Sequence, residues 1–180
     1  MKKLALLAAL AAASLSTTAF AAEGNGGFIR AELGETRADF DIDSIKDTAY
    51  SIRGGYYFNS NIAIEGFYTG HGRDSFDDVT VEAFSMGVGV VGKKNFGGSQ
   101  KGFFINGRAG IAYTDIAVVD DNSVEFLDDD RDASLYAGVG LGYDFTERFG
   151  LSLNYDYQKA DISGADVKLN TWTIGGEFRF

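Results

Sequence analysis

Alternation of polar and apolar residues with period two runs through most of the chain, and clusters of Gly, Asn, Asp and Ser interrupt it repeatedly. Such alternation marks half-buried strands rather than helices. The interruptions are mostly short at one set of strand ends and long and acidic at the other, and the apolar phase carries aromatic residues near both ends of its strands. These observations predict an all-β fold, an eight-stranded antiparallel up-and-down transmembrane β-barrel with a polar, filled interior.

Composition bounds the function. The 180 residues suffice for one domain, with 24 Gly, 15 Phe and 9 Tyr but neither Pro nor Cys. The lack of Cys excludes a disulfide scaffold, a thiolate metal site and a cysteine nucleophile. A lone histidine, His71, excludes a multi-histidine metal centre. A net charge of −10 argues against nucleic acid as a partner. No residue is assigned a catalytic, cofactor-binding or metal-binding role, and no cofactor is expected.

The N-terminus has the layout of a secretory signal peptide. Lys2 and Lys3 precede an apolar run from Leu4 to Ala13, a small polar stretch follows, and Ala19-Phe20-Ala21 offers a cleavage site. The expected organisation is a signal peptide over residues 1–21 and a single barrel domain over 22–180. The eight strands are expected at Phe28–Gly34, Thr48–Phe58, Ile62–Gly70, Val79–Val91, Gly102–Thr114, Ala133–Phe145, Phe149–Gln158 and Val167–Phe180. Asn59-Ser60-Asn61 and Thr146-Glu147-Arg148 read as tight turns, and Gly92–Lys101 as a longer one at the same end. Glu35–Asp47, His71–Asp78, Asp115–Asp132 and Lys159–Asp166 read as long loops at the other end.

Alternation alone does not say which face is inside. A soluble barrel would turn the apolar phase inward. Here the polar phase holds many Gly and Ser, which make room in a narrow lumen for a few large charged side chains. The same glycines on a water-facing sheet would only weaken it. Two aromatic bands match two bilayer interfaces, and each apolar band has about the 9–11 residues of a tilted membrane-crossing strand. The apolar phase therefore faces lipid.

The last strand, Thr173-Ile174-Gly175-Gly176-Glu177-Phe178-Arg179-Phe180, and the repeated pieces Ile52-Arg53-Gly54-Gly55-Tyr56, Gly107-Arg108-Ala109-Gly110-Ile111-Ala112-Tyr113 and Ala137-Gly138-Val139-Gly140-Leu141-Gly142-Tyr143 carry a resemblance. The chain resembles the small eight-stranded outer-membrane barrels of Gram-negative bacteria, of the OmpX/Ail and OmpA transmembrane-domain type, grouped with opacity-protein-like and "porin family" barrels. The resemblance implies residence in the cell outer membrane, among its lipids and lipopolysaccharide, as a monomer. It implies that Gly175, Phe178 and Phe180 form the assembly signal read by the barrel-insertion machinery. No peptidoglycan-binding domain of the OmpA type is expected after the barrel, and the long Gly92–Lys101 turn departs from the usual pattern.

The inward phase contains Arg30, Arg53, Arg108 and Arg179 against Glu32, Glu65, Asp144, Asp156 and Glu177. Near-balance of charge in a narrow lumen points to pairing, because an unpaired buried charge is costly. If Phe58 and Ile62 both face lipid, the turn between them sets Glu65 opposite Gly55, one diagonal step from Arg53. A polar network of Arg30, Glu32, Arg53, Glu65, Arg108, Glu177 and Arg179 is expected, acting as a plug rather than a solute path. The Asp115–Asp132 loop holds eight acids and one base, Arg131, without the glycine and closing glutamate of an EF-hand. It reads as a solvated charge run; divalent cations bridging it to lipopolysaccharide are the alternative. Its Val118-Val119 and Val124-Glu125-Phe126-Leu127 segments suit a hairpin beyond the membrane, whose edge would serve strand pairing with a partner. His71, followed by Asp74 and Ser75, reads as a loop histidine rather than part of a triad.

The expected function is that of a non-enzymatic integral outer-membrane protein, supporting envelope integrity or adhesin-like surface contact through acidic extracellular loops. The alternatives are a lipid A-modifying enzyme and a narrow pore for small solutes.

Overall fold

The computed structural model describes residues 25–39, 44–76, 79–120, 123–126, 133–162 and 165–180. The expected signal peptide lies outside them. Eight long strands form the wall: β1 (Gly26–Asp39), β2 (Ser44–Tyr57), β3 (Ile62–Phe76), β4 (Val79–Asn95), β5 (Gly102–Asp120), β7 (Ser134–Asp144), β8 (Phe149–Ile162) and β9 (Ala165–Arg179). A short strand, β6 (Ser123–Phe126), lies on the extension of β5. Every pairing is antiparallel; the wall strands pair in chain order, β5 with β7 past the short β6, and β1 pairs with β9 to close the barrel. Closure leaves no wall edge unpaired, which a membrane interior requires.

Side-chain direction confirms the inverted arrangement. Large apolar residues stand outward and exposed, with Leu33 at 68%, Ile174 at 67% and Val139 at 62%. Arg30, Glu32, Glu65 and Asn154, by contrast, are each at or below 2%. That distribution suits a wall between lipid outside and a polar interior. Among the described outward girdle rings Phe84 alone is buried, where it stacks on Tyr68 at 5.5 Å.

The turns follow local side-chain chemistry. Asn59 Oδ1 accepts hydrogen bonds from the backbone N–H groups of Asn61 (2.8 Å) and Ile62 (2.9 Å). Thr146 Oγ1 accepts from those of Arg148 and Phe149. Both hydroxyl and amide oxygens here imitate a turn carbonyl. The β2–β3 register places Gly55 opposite Glu65 and Tyr57 opposite Ala63, as the turn parity requires.

The strands at the long-loop end run further than the sequence pattern indicates. β1 extends to Asp39, β3 to Phe76, β5 to Asp120 and β8 to Ile162. Hydropathy marks only the lipid-contacting band, whereas backbone pairing continues into water wherever both neighbours persist. The expected His71–Asp78 loop is therefore mostly strand. β3 carries a bulge between Gly70 and Arg73, where Gly72 adopts φ +122°. At the opposite end, β4 continues to Asn95, and Gly98–Gln100 forms a short 3-10 turn. Ser99 and Gln100 both have positive φ there, a cost of about 1–3 kcal/mol each that surrounding contacts must offset.

Candidate functional site

The lumen is the densest concentration of functional groups. Its floor, nearest the short turns, is organised around Glu177 and Asp144. Arg30 makes two bonds to Glu177 Oε2, one of them from Nε at 3.0 Å. Arg179 Nε donates to Glu177 Oε1 at 2.8 Å, and Lys93 Nζ sits between Asp144 (2.9 Å) and Glu177 (3.5 Å). The long turn closes this floor from below. Asn95 Nδ2 donates to Asp144 Oδ2 at 2.7 Å and to the Gln100 carbonyl at 3.3 Å, and Arg179 Nη1 reaches Gln100 Oε1 at 3.5 Å. The extra length of Gly92–Lys101 thus supplies Lys93, Asn95 and Gln100 to the lumen mouth.

A second ionic layer lies above. Arg53 spreads its three nitrogens over Glu32 (3.1 Å), Glu65 (3.0 Å) and Asp156 (2.9 Å). Arg108 holds Glu32 Oε1 at 2.9 Å and binds Asp156 through Nε at 2.6 Å and through Nη2. Tyr136 donates to Glu65 Oε1 at 2.9 Å, so both bonds to Glu65 use one oxygen. Arg30 Nη1 lies 3.6 Å from Glu32 Oε1 and links the two layers. Each of the seven residues expected in the polar network stands inside the lumen. Arg108, however, turns to Glu32 and Asp156 and makes no bond to Glu65 among the described contacts.

A third layer, toward the long loops, is uncharged. The His71 ring lies between Thr36 Oγ1 (3.0 Å, Nδ1) and Ser85 Oγ (2.8 Å, Nε2). Thr36 also meets Thr171, and Ser85 meets Thr114, each at 2.8 Å. Gln158 closes the chain by donating to Thr114 and Ser134. The loop assignment of His71 is corrected here. The residue stands on the bulged rim of β3 with the inward parity of Glu65 and Thr69. Ser85, which is fully buried, meets the ring. A cavity of only about 20 Å³ separates this layer from the guanidinium layer.

Two features of the lumen escaped the sequence reading. Among the described residues Lys93 is the fifth lumen cation, so five cations face five carboxylates; Val91 and Lys93 continue the inward parity past the apolar band, which is the signal that marks it. The lumen is also lined with rings: Phe28, Tyr57, Phe67, Phe104 and Tyr136 are all buried. They carry cations on their faces, with Lys93 Nζ 3.6 Å from the Phe104 centroid, Arg179 Cζ 4.4 Å from Tyr57 and Arg53 Cζ 4.6 Å from Phe67. The inward glycines serve these rings more than the charged side chains. A Cβ at Gly55 would strike Phe28, one at Gly87 would strike Phe67, one at Gly142 would strike Phe104, and one at Gly89 or Gly110 would strike Tyr136. Gly175 lies against Glu32. Phe178 faces outward, and Phe180 covers Gly27 and donates its N–H to the Gly27 carbonyl at 2.9 Å.

The described residues hold no group of three or more His, Asp or Glu side chains suited to a metal ion. Their chemistry is that of a packed, charge-balanced plug inside a lipid-facing wall. The chain belongs to the outer membrane protein beta-barrel domain family, whose model matches residues 5–180, and it resides in the outer membrane. None of the curated proteins matches its sequence. In fold it is similar to Neisserial surface protein A (TM-score 0.72, 18% identity, 88% of this chain and 100% of that one). It is also similar to Ail, the attachment invasion locus protein of Yersinia pestis (TM-score 0.60, 23% identity, 88% and 100%). OprG from Pseudomonas aeruginosa follows at TM-score 0.55 and 14% identity, with 88% and 97% covered.

Proposed function

We propose that this outer-membrane barrel acts through its extracellular end, as a non-enzymatic surface protein that contacts molecules outside the cell, while its lumen serves as a structural plug. One observation carries the reading. β5 pairs with β7 only up to Ala112, and its extension Ala117–Asp120 pairs with β6 instead. β6 ends the sheet order, with β5 its only partner strand among the described residues. Among the described residues no strand pairs with its far side, a row of backbone donors and acceptors suited to strand addition by a partner. Acidic residues around it favour a cationic or cation-bridged partner. Bridging by Ca²⁺ or Mg²⁺ to lipopolysaccharide belongs to the same reading, although positions 121–122 and 127–132 of the acidic loop lie outside the described residues.

The chemistry of His71 supports a non-enzymatic role. Thr36 and Ser85, the hydroxyls within reach of the imidazole, are both buried in the lumen, away from the lipid face. The cavity of about 20 Å³ beside it holds about one water, which favours a plug over a solute path. The barrel is read as a monomer surrounded by outer-membrane lipid, and Gly175, Phe178 and Phe180 as the signal for the insertion machinery. Deleting Phe180 should reduce membrane insertion far more than deleting the loop residue Asp129, as measured by the heat-dependent gel shift.

The test compares a deletion strain complemented with the wild type and with a variant lacking Ser123–Phe126. Adherence to an extracellular surface that depends on this strand, with an unchanged lipid A mass profile, is the expected result. A lipid A profile that changes with His71→Ala would establish an enzyme instead. Steady conductance in planar bilayers would establish a pore.

A further inference from the structure

The outer wall carries large apolar side chains at most of its outward positions. At Gly92 of β4 and Gly107 of β5 it does not, as it does not at the paired Gly54 and Gly66 of β2 and β3. Gly92 and Gly107 are paired neighbours that both face outward, with Ile62 of β3 opposite Gly92 and Val139 of β7 opposite Gly107. A Cβ on either glycine would lie in ordinary contact at best, with backbone oxygens 4.0 and 3.9 Å away. The result is a groove of about 390 Å³ on the lipid face, bordered by Asn61, Lys94 and Ile105.

Lys94 distinguishes this groove from a plain apolar surface. It stands one outward step from Gly92 toward the short turns, beside Ile105 in register. Its side chain is exposed and, among the described residues, its ammonium has no carboxylate partner. The neighbouring cations differ: Lys93 is held inside by Asp144 and Glu177, and Lys101 lies 3.5 Å from Glu147. Lys94 sits at the level of the aromatic band that includes Phe58, Phe103 and Tyr143. A lysine at that depth lays its stem along apolar surface and presents its charge to the headgroup layer. The occupant that fits carries an anion above an extended apolar chain.

We propose that the Gly92–Gly107 groove seats one glycerophospholipid of the periplasmic leaflet, its phosphate on Lys94 and one acyl chain along the two glycines. The leaflet follows from position, because the groove lies at the short-turn end, whereas the acyl chains of lipopolysaccharide occupy the other leaflet. A second copy of the barrel is a poorer occupant, since a two-fold contact here would bring the two Lys94 ammonium groups toward each other.

The experiment is native mass spectrometry of the barrel released from a mild detergent, before and after titration with dioleoyl phosphatidylglycerol, and in parallel with dioleoyl phosphatidylethanolamine. Gly107→Leu fills the groove without changing charge; Lys94→Ala removes the cation, and Lys94→Arg restores it. The heat-dependent gel shift confirms that each variant is folded. One tightly held phospholipid on the wild type is expected, with occupancy about fivefold lower in Gly107→Leu and Lys94→Ala and retained in Lys94→Arg. Equal occupancy in all four proteins, or none on the wild type, would overturn the proposal. So would a doubled protein mass that Gly107→Leu abolishes, which would make the groove an interface between copies.

Discussion

The lower lumen and the upper lumen solve the same packing problem with different chemistry. Around Glu32, Asp156 and Glu177 the space is filled by guanidinium–carboxylate pairs, and one arginine commonly serves several acids. Around His71 it is filled by neutral hydroxyls, an imidazole and the Gln158 amide. The ionic layers tie together strands far apart in sequence; Arg53 alone joins β2 to β1, β3 and β8. The hydroxyl layer mostly joins neighbours, such as Thr69 to Ser51 across β2 and β3. Charge therefore fixes which strands meet across the barrel, and hydroxyls seal the remaining space at little electrostatic risk.

The sharpest way to break that contrast is Arg108→Ala. Its side chain is fully enclosed, and its loss leaves Arg53 as the guanidinium that must serve both Glu32 and Asp156. Breaking such a buried pair costs about 3–5 kcal/mol. Urea unfolding in lipid vesicles should show the largest fall in midpoint of the series, and single-channel recording should show whether removing this bar opens the lumen; the wild type is expected to stay closed or nearly so. Glu65→Ala should cost less, about 2–3 kcal/mol, because Arg53 keeps two other carboxylates while Tyr136 loses its acceptor. Equal stability of Glu65→Ala and wild type would show that water already screens this layer.

In the neutral layer the expected effects shrink. Thr36→Val removes the hydroxyl that meets both His71 and Thr171, at a cost of about 1–2 kcal/mol by the same unfolding measurement. A fall as large as that for Arg108→Ala would erase the distinction between the layers. The smallest effect belongs to Lys46→Ala on the outer rim. Its pair with Glu35 at 3.0 Å has both side chains more than half exposed, so a change of about 0–1 kcal/mol is expected, vanishing at high salt.

Much of this molecule is a consequence of local sequence. Period-two alternation assigns each side chain to one of two faces, and parity through the Asn59-Ser60-Asn61 turn placed Glu65 beside Arg53 without any tertiary information. The lipid-facing phase follows from the same rule, because a strand's faces depend only on its own residues. The ends of the strands did not follow, since pairing outlasts the apolar band: β1 reaches Asp39, β3 carries His71 on a bulge, and β4 brings Lys93 inside. Nor could parity choose partners across the lumen. That Arg108 meets Glu32 and Asp156 rather than Glu65, and that inward glycines yield their space to Phe28, Phe67, Phe104 and Tyr136, depends on how the closed wall brings non-adjacent strands to one depth. Faces are a property of each strand alone; contacts across the barrel exist only once the eighth wall strand meets the first, and the stagger of that closure sets which charges share a layer.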